Sequence, residues 1–156
     1  MAGRSRASSS RQVAAPEPTV QRWILAGAIA LGIGMVLAVL YAMLQFSLGR
    51  DSSIVLALIG GFVGFALQRV LGKGGVGVGI LAVLLTVQSH VASYIMIVSM
   101  YATGSISSGL TAAPTVDPGL ALEIYFQNDL RYLWLAFGIF GAFIVGGKFN
   151  PLRPRD

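Results

Sequence analysis

The sequence predicts an all-α, polytopic membrane protein with four transmembrane helices in an up-down bundle and both termini in the cytoplasm. Three observations predict it. Hydrophobic residues make up 55% of the 156 and charged residues only 11%, whereas about a quarter of a soluble domain is charged, and mean hydropathy is +0.76. The few charges cluster between long uncharged runs instead of dotting amphipathic faces. Four of those runs approach or exceed the roughly 20 apolar residues that cross a hydrocarbon core of about 30 Å.

Residues 1–21 are rich in Ser, Ala, Arg and Pro and lack apolar periodicity, so they bury too little surface to offset ordering entropy. A disordered tail is expected there. Arg4, Arg6 and Arg11 resemble a signal-peptide n-region, but the apolar run after them is too long for an h-region and ends without a small-residue cleavage site. It reads as a retained span, Trp23 to Leu44, about 33 Å long at about 1.5 Å per residue, with Arg22 and Trp23 at its inner end. Asp51 or Ser52 can cap a second helix over residues 53–70 by accepting its orphan N–H groups. This helix ends in Gln68 and Arg69, whose long stem lifts the guanidinium toward the headgroups.

Gly72 to Gly79 then forms a tight inner turn. The third span, residues 76–101, is the polar helix, with Thr86, Gln88, Ser89, His90, Ser93 and Tyr94 in its middle and outer half. Residues 102–129 form an outside region. Thr103 to Asp117 is a Gly/Ser/Thr/Pro run that reads as loop, and Asp117-Pro118 is a cap-plus-first-turn signal for a short helix. Leu120 to Phe126, which includes Glu123, suits a segment lying in the interface. Asn128 or Asp129 caps a fourth span, residues 130–147, and Pro151 and Pro154 stop any continuation in the cytoplasmic tail 149–156.

Orientation comes from counting Lys and Arg by side. Arg4, Arg6, Arg11, Arg22, Arg69, Lys73, Lys148, Arg153 and Arg155 fall on the inner side, against Arg50 and Arg131 outside. Lys and Arg set topology by remaining cytoplasmic, so this asymmetry puts both ends inside. The same argument absorbs the net charge of +5, and nucleic-acid binding is not expected.

Lipid tails are as apolar as Leu, so helices associate in a bilayer through close van der Waals approach between small residues. Ala26, Ala30, Gly34, Ala38 and Ala42 recur every four positions in the first span. Gly60 and Gly64 have GxxxG spacing in the second, with Ala57 and Gly61 beside them, and Gly138, Ala142 and Gly146 mark the fourth. Such stripes either close the bundle within one chain or serve as homo-oligomer faces, and a four-helix bundle has faces enough for both.

Chemistry has few footholds. With no Cys, disulfides, thiolate metal sites and thiol nucleophiles are excluded. His90 is the single histidine and the one ionisable group other than tyrosine in mid-span, by default a candidate functional residue. It shares an i, i+4 stripe with Thr86 and Tyr94, while Gln88 points elsewhere. The functional readings are a proton-handling site, a quinone contact or an axial haem ligand. Each lacks a partner: no Asp, Glu, Lys or Arg lies at depth in the other spans, and a second axial histidine would have to come from another copy. The bland reading is a neutral imidazole that glues the interior by hydrogen bonding. The Gly72–Gly79 turn is no phosphate loop, because no Ser or Thr comes after Lys73 and no strand precedes it. The acids lie in loops and the histidine in a span, so no catalytic constellation forms. Neither catalytic residues nor a cofactor or metal are expected. Trp23, Tyr132 and Trp134 read as interfacial belt residues.

The stretch from Ile54 to Arg69, IVLALIGGFVGFALQR, with a Gly-rich turn after it and a span opening Leu81-Ala-Val-Leu-Leu-Thr86, resembles a group of small four-helix bacterial membrane proteins, mostly of unassigned activity. The likeness covers residues 23–147. It implies the helix count and a bacterial cytoplasmic membrane, and brings no catalytic residue with it. The expectation is a non-enzymatic subunit or scaffold that packs through small-residue faces, with itself or with larger membrane proteins. The alternative is a transport or permeation component with a polar path along Gln88, His90 and Tyr94.

Overall fold

A computed structural model describes residues 18–49, 54–127 and 129–147. Among them the chain is entirely helical, in the order α1 (Val20–Leu48), α2 (Ile54–Leu71), α3 (Val76–Thr103), α4 (Ile106–Ala112), a single 3₁₀ turn (Ala113–Thr115), α5 (Pro118–Phe126) and α6 (Asp129–Gly146). By length and composition, α1 and α3 can each cross a membrane, and α5 with α6 would make a third crossing if that bent pair counts as one span. These helices make the chain a membrane protein. The expected tail up to Glu17, the caps Asp51, Ser52 and Asn128, and the tail from Lys148 onward lie outside the described residues.

Three boundaries correct the sequence expectation. α1 has 29 residues and α3 has 28, about 42 Å each at 1.5 Å per residue. Both overrun the hydrocarbon slab that hydropathy detects. The helix continues through Gln21, Arg22 and Gln45 because headgroup depth tolerates polar side chains while the backbone keeps its internal bonds. It stops at Gly49, whose φ of 59° suits a residue without Cβ. The glycine-rich inner turn is also shorter than expected. Gly72 (φ 69°) closes α2 by donating its N–H to the Gln68 carbonyl at 2.9 Å, and α3 begins four residues later. Gly77 and Gly79 are thus helical, and Gly79 serves packing: a Cβ there would come 2.9 Å from the Phe143 ring.

The third correction concerns the outside region. Much of the Ser/Thr-rich run read as loop is α4. Its hydroxyls supply the bonds that an exposed short helix needs, Thr111 donating to the Ser107 carbonyl at 2.6 Å and Thr115 to Ala112 at 2.7 Å. Ser99 of α3 donates to the Gly109 carbonyl at 2.8 Å, and Gly109 lies so close to Met100 that a Cβ would fall 2.5 Å from its Cα. The segment folds back onto the outer end of α3 through that one glycine. α5 forms as its signal expects, with Pro118 in its first turn and the Asp117 carboxylate accepting from the Gly119 N–H at 2.8 Å. Its axis turns 107° from that of α6.

The four longer helices pack side by side in an order that chain sequence alone does not dictate. Trp23 meets Gly77, Gly34 meets Ser89 and Phe46 meets Tyr101, so α1 and α3 run parallel. Gly60 meets Gly138 and Gly64 meets Ala142 and Gly146, so α2 and α6 also run parallel. Gly79 against Phe143 and Tyr94 against Arg131 make α3 and α6 antiparallel. Around the group the order is α1, α2, α6, α3, with α1 and α6 hardly touching. Direction alternates along the chain, as an up-down reading expects, yet the most intimate contact joins two parallel helices. Small residues explain it, because backbone reaches backbone wherever Gly faces Gly. The outward faces carry Leu25, Ile29, Leu40, Leu58, Phe62, Phe65, Leu84, Phe137 and Phe140, all exposed, an apolar mantle suited to lipid.

Candidate functional site

Every small residue of the three stripes is buried, whereas Ala57 and Gly61 beside the second stripe are only half-buried. Ala26, Ala30, Ala38 and Ala42 are at 0% exposure, as is Ala142, and Gly34, Gly60, Gly64, Gly138 and Gly146 are buried with them. Gly34, Gly60, Gly64 and Gly146 each have a specific occupant. At Gly34 an added Cβ would overlap the Ser89 hydroxyl and lie 3.4 Å from Val63. At Gly60 it would overlap the Gly138 carbonyl oxygen and lie 2.8 Å from its carbon, and at Gly64 it would come 2.8 Å from the Ala142 carbonyl. Gly146 fits against Ala82 at 3.1 Å. The α2 and α6 stripes therefore face each other within the chain, while the α1 stripe meets Ser89 and Val63 at Gly34.

The polar residues of α3 separate into two groups. Gln88 is exposed on the outer surface of the helix, while Thr86, Ser89, His90, Ser93 and Tyr94 are buried. The hydrogen bonds of Thr86, Ser89, His90 and Ser93 run back along α3 itself. Thr86 donates to the Ala82 carbonyl at 2.7 Å, Ser89 to Leu85 at 2.8 Å and Ser93 to His90 at 2.7 Å. A hydroxyl that bonds the carbonyl three or four residues earlier is satisfied without any neighbour, so this face behaves toward α1 and α2 almost as an apolar one. His90 does the same with one ring nitrogen only. Its Nδ1 lies 2.8 Å from the Thr86 carbonyl oxygen, which only accepts, so Nδ1 carries the proton and Nε2 presents a lone pair. That Nε2 is buried and has no hydrogen-bond partner among the described residues, a situation that costs about 1–3 kcal/mol for a polar atom.

Tyr94 is the hub of the C-terminal half of α3. Its ring stands edge-on to Tyr125 of α5, centroids 4.9 Å apart, and carries the Arg131 guanidinium at 4.8 Å. Arg131 also donates to the Ile124 carbonyl at 3.1 Å, and the Tyr125 hydroxyl donates to the Arg131 carbonyl at 3.1 Å. Tyr132 donates to the Phe126 carbonyl at 3.3 Å and stacks on the Phe126 ring at 4.9 Å. The end of α5 is thus latched to the start of α6 by side chain to backbone bonds. Leu120 and Glu123 are exposed and Ala121 and Tyr125 buried, so α5 lies with one face down on this hub.

Two spaces flank Tyr94. One, of about 410 Å³, lies where the C-terminal parts of α1, α3 and α5 meet the start of α6, among Gln45, Tyr94, Tyr101, Ile124 and Arg131. The other, of about 70 Å³, is a crevice between α3, α5 and α6 that includes His90, Val91, Leu122, Tyr125 and Leu135. The sequence reading misses the first. Gln45 is 6% exposed and its Oε1 is buried without a hydrogen-bond partner among the described residues. It falls on the continuation of the alanine stripe, three residues after Ala42 and seven after Ala38, so helical periodicity finds it once the span is carried beyond Leu44. Arg131 enters the sequence reading for topology alone, and nothing in its sequence neighbourhood marks a partner 37 residues away in α3.

Among the described residues no group of His, Cys, Asp or Glu is arranged to hold a metal ion. Comparison of the chain with protein-family models, with curated proteins and with solved structures gives no match.

Proposed function

We propose that this chain is a non-enzymatic integral membrane subunit or scaffold of a bacterial cytoplasmic membrane. In this reading α1, α2, α3 and α6 each cross the bilayer, with both termini inside, and the outer mantle meets lipid and partner helices. α2 and α6 have 18 residues each, about 27 Å, within the range that spans a bilayer core. Because they pack along one another between the two longer helices, they share the same depth. The 107° turn lays α5 across this direction, where an amphiphilic helix rests in the interface.

The observation that carries the reading is the sealed polar face of α3. Thr86, Ser89 and Ser93 are at 0% exposure and bonded to their own helix, which favours a packing role over a hydrated path. The test is purification in mild detergent, then mass determination of the intact particle. A membrane-protein partner at fixed stoichiometry, or a defined homo-oligomer, is expected. A lone monomer that conducts or exchanges solute in liposomes would overturn the reading. The transport alternative has one observation in its favour, the outer cavity with Gln45 and Arg131, but that space ends at the Tyr94 ring. Flux through proteoliposomes that falls on Tyr94→Trp would move the balance to transport.

A further inference from the structure

We propose that the exposed face of α3 around Gln88 is the contact between two copies of this chain, with the two Gln88 amides hydrogen-bonded to each other across a two-fold axis. The inference rests on the reading of the chain as a membrane subunit and names its partner.

Gln88 sets the requirement. It is the thirteenth of the 28 residues of α3, about 2 Å from the helix midpoint at 1.5 Å per residue, and its side chain is exposed. α3 is long and apolar enough to cross a membrane, so this amide is held at the depth of lipid tails, roughly 15 Å from either headgroup layer. A glutamine is too short to reach that far, unlike the long basic side chains that snorkel from helix ends. Its own helix does not satisfy it either. Thr86, Ser89 and Ser93 bond back to α3 carbonyls, whereas Gln88 makes no hydrogen bond among the described residues. An amide left bare in lipid is costly, and polar side chains in mid-span accordingly turn toward protein.

The rest of the face is apolar and open. Val76, Ile80 and Leu84 lead up to Gln88 at four-residue spacing and are all exposed, so they share one side of the helix with it. Ala92, one turn beyond, is small and half-buried, which lets a second backbone come near. The chain's own helices cover the opposite side of α3, through Ala82, Thr86, Ser89 and Ser93.

Symmetry selects the occupant. Identical chains insert in the same direction, so residue 88 of every copy lies at one depth, and a two-fold axis along the membrane normal sets the same patch of α3 against itself. A primary amide both donates and accepts. The N–H of each Gln88 therefore donates to the Oε1 of the other, and identical residues satisfy one another. No other face of the chain offers this among the described residues. The exposed polar side chains of the other long helices, Gln21, Arg22, Ser47, Arg69 and Tyr132, lie within four residues of a helix end, so a copy that docked a different face onto α3 would leave the amide among apolar side chains.

The test uses the full chain in liposomes. Förster transfer between two differently labelled copies, followed as the lipid is increased, gives the dissociation constant of the pair. Gln88→Leu should raise it roughly tenfold, the loss expected for a pair of hydrogen bonds between membrane helices, and Gln88→Asn, which keeps a shorter amide, should lose less. Because the side chain is exposed, neither variant should shift the thermal midpoint. Leu84→Cys, one turn away on the same face, should form a disulfide-linked pair of this chain on oxidation with copper phenanthroline, while Leu58→Cys, exposed on α2, should not. A dissociation constant unchanged by Gln88→Leu overturns the proposal, and so does cross-linking of Leu58→Cys as readily as Leu84→Cys. Stoichiometric cross-linking of Leu84→Cys to a different membrane protein alone overturns the pairing and leaves the subunit reading standing, whereas a monomer that conducts solute defeats both.

Discussion

The seam between α2 and α6 and the outer half of α3 are built on opposite principles. At the seam Gly60 faces Gly138 and Gly64 faces Ala142, backbone meets backbone, and both Gly60 and Gly64 have an occupant where a side chain would be. In the outer half of α3 the residues are large, polar and aromatic, and they leave two spaces behind, each lined by a residue whose buried acceptor has no hydrogen-bond partner among the described residues. Close approach and residual polarity are thus kept apart in these two regions. One region holds the helices together, and the other has room for a second molecule.

The seam is the place to break the fold. Gly60→Leu drives a side chain into the Gly138 carbonyl, which cannot move without its helix. The expected loss is about 3 kcal/mol or more, at the upper end for overpacking, read as a large drop in thermal midpoint in detergent. Gly61→Leu is the internal control, because nothing lies within 4 Å of that position. A Gly61→Leu protein as damaged as Gly60→Leu would refute the assignment of the seam.

The aromatic region should respond less and more locally. Arg131→Ala removes the cation over Tyr94 and the bond to the Ile124 carbonyl, about 1–2 kcal/mol together. Amide hydrogen exchange in α5 should rise severalfold while α2 remains protected, the pattern of a locally released element. Uniform loosening of all helices would mean that Arg131 holds more than the latch.

A finer probe lies where the two principles meet, at Gly34 and Ser89. Gly34→Ala pushes a methyl into the Ser89 hydroxyl and forces it off the Leu85 carbonyl. Ser89→Ala alone should be nearly silent, and the double variant should recover most of the loss. The coupling expected in a double-mutant cycle is about 1 kcal/mol, and strict additivity would show that the two residues do not meet. Smallest of all is Thr86→Val. The hydroxyl it removes bonds only to its own helix, so the loss is expected to stay below about 0.6 kcal/mol, the average for hydrogen bonds between membrane helices.

These regions also differ in how well the sequence foretells them. The Ala26 to Ala42 stripe and the Gly60–Gly64 pair are legible because a four-residue period of small side chains has one physical use in lipid. Their partners are not, since periodicity marks a face without naming what covers it, and the parallel pairing of α2 with α6 comes from three-dimensional fit. His90 and Thr86 are visible as polar residues at depth, but not that their bonds stay within α3. α4 escapes a sequence reading because Ser, Thr and Gly signal a loop only when the chain has nowhere to dock, and Ser99 with Gly109 provides a dock. Gln45 is lost to a span boundary drawn by hydropathy, which reports the slab and not the helix.

Because the chain has no Cys, single cysteines can report its sidedness without background. Ser108→Cys on exposed α4 and Lys73→Cys in the exposed turn between α2 and α3, each paired with a tagged terminus, can be treated with a membrane-impermeant maleimide in intact cells. Ser108→Cys is expected to react at once, while Lys73→Cys and both termini react only after permeabilisation. Reaction of Lys73→Cys and Ser108→Cys from the same face, or of the two termini from opposite faces, would contradict the threading of α1, α2, α3 and α6 through the bilayer.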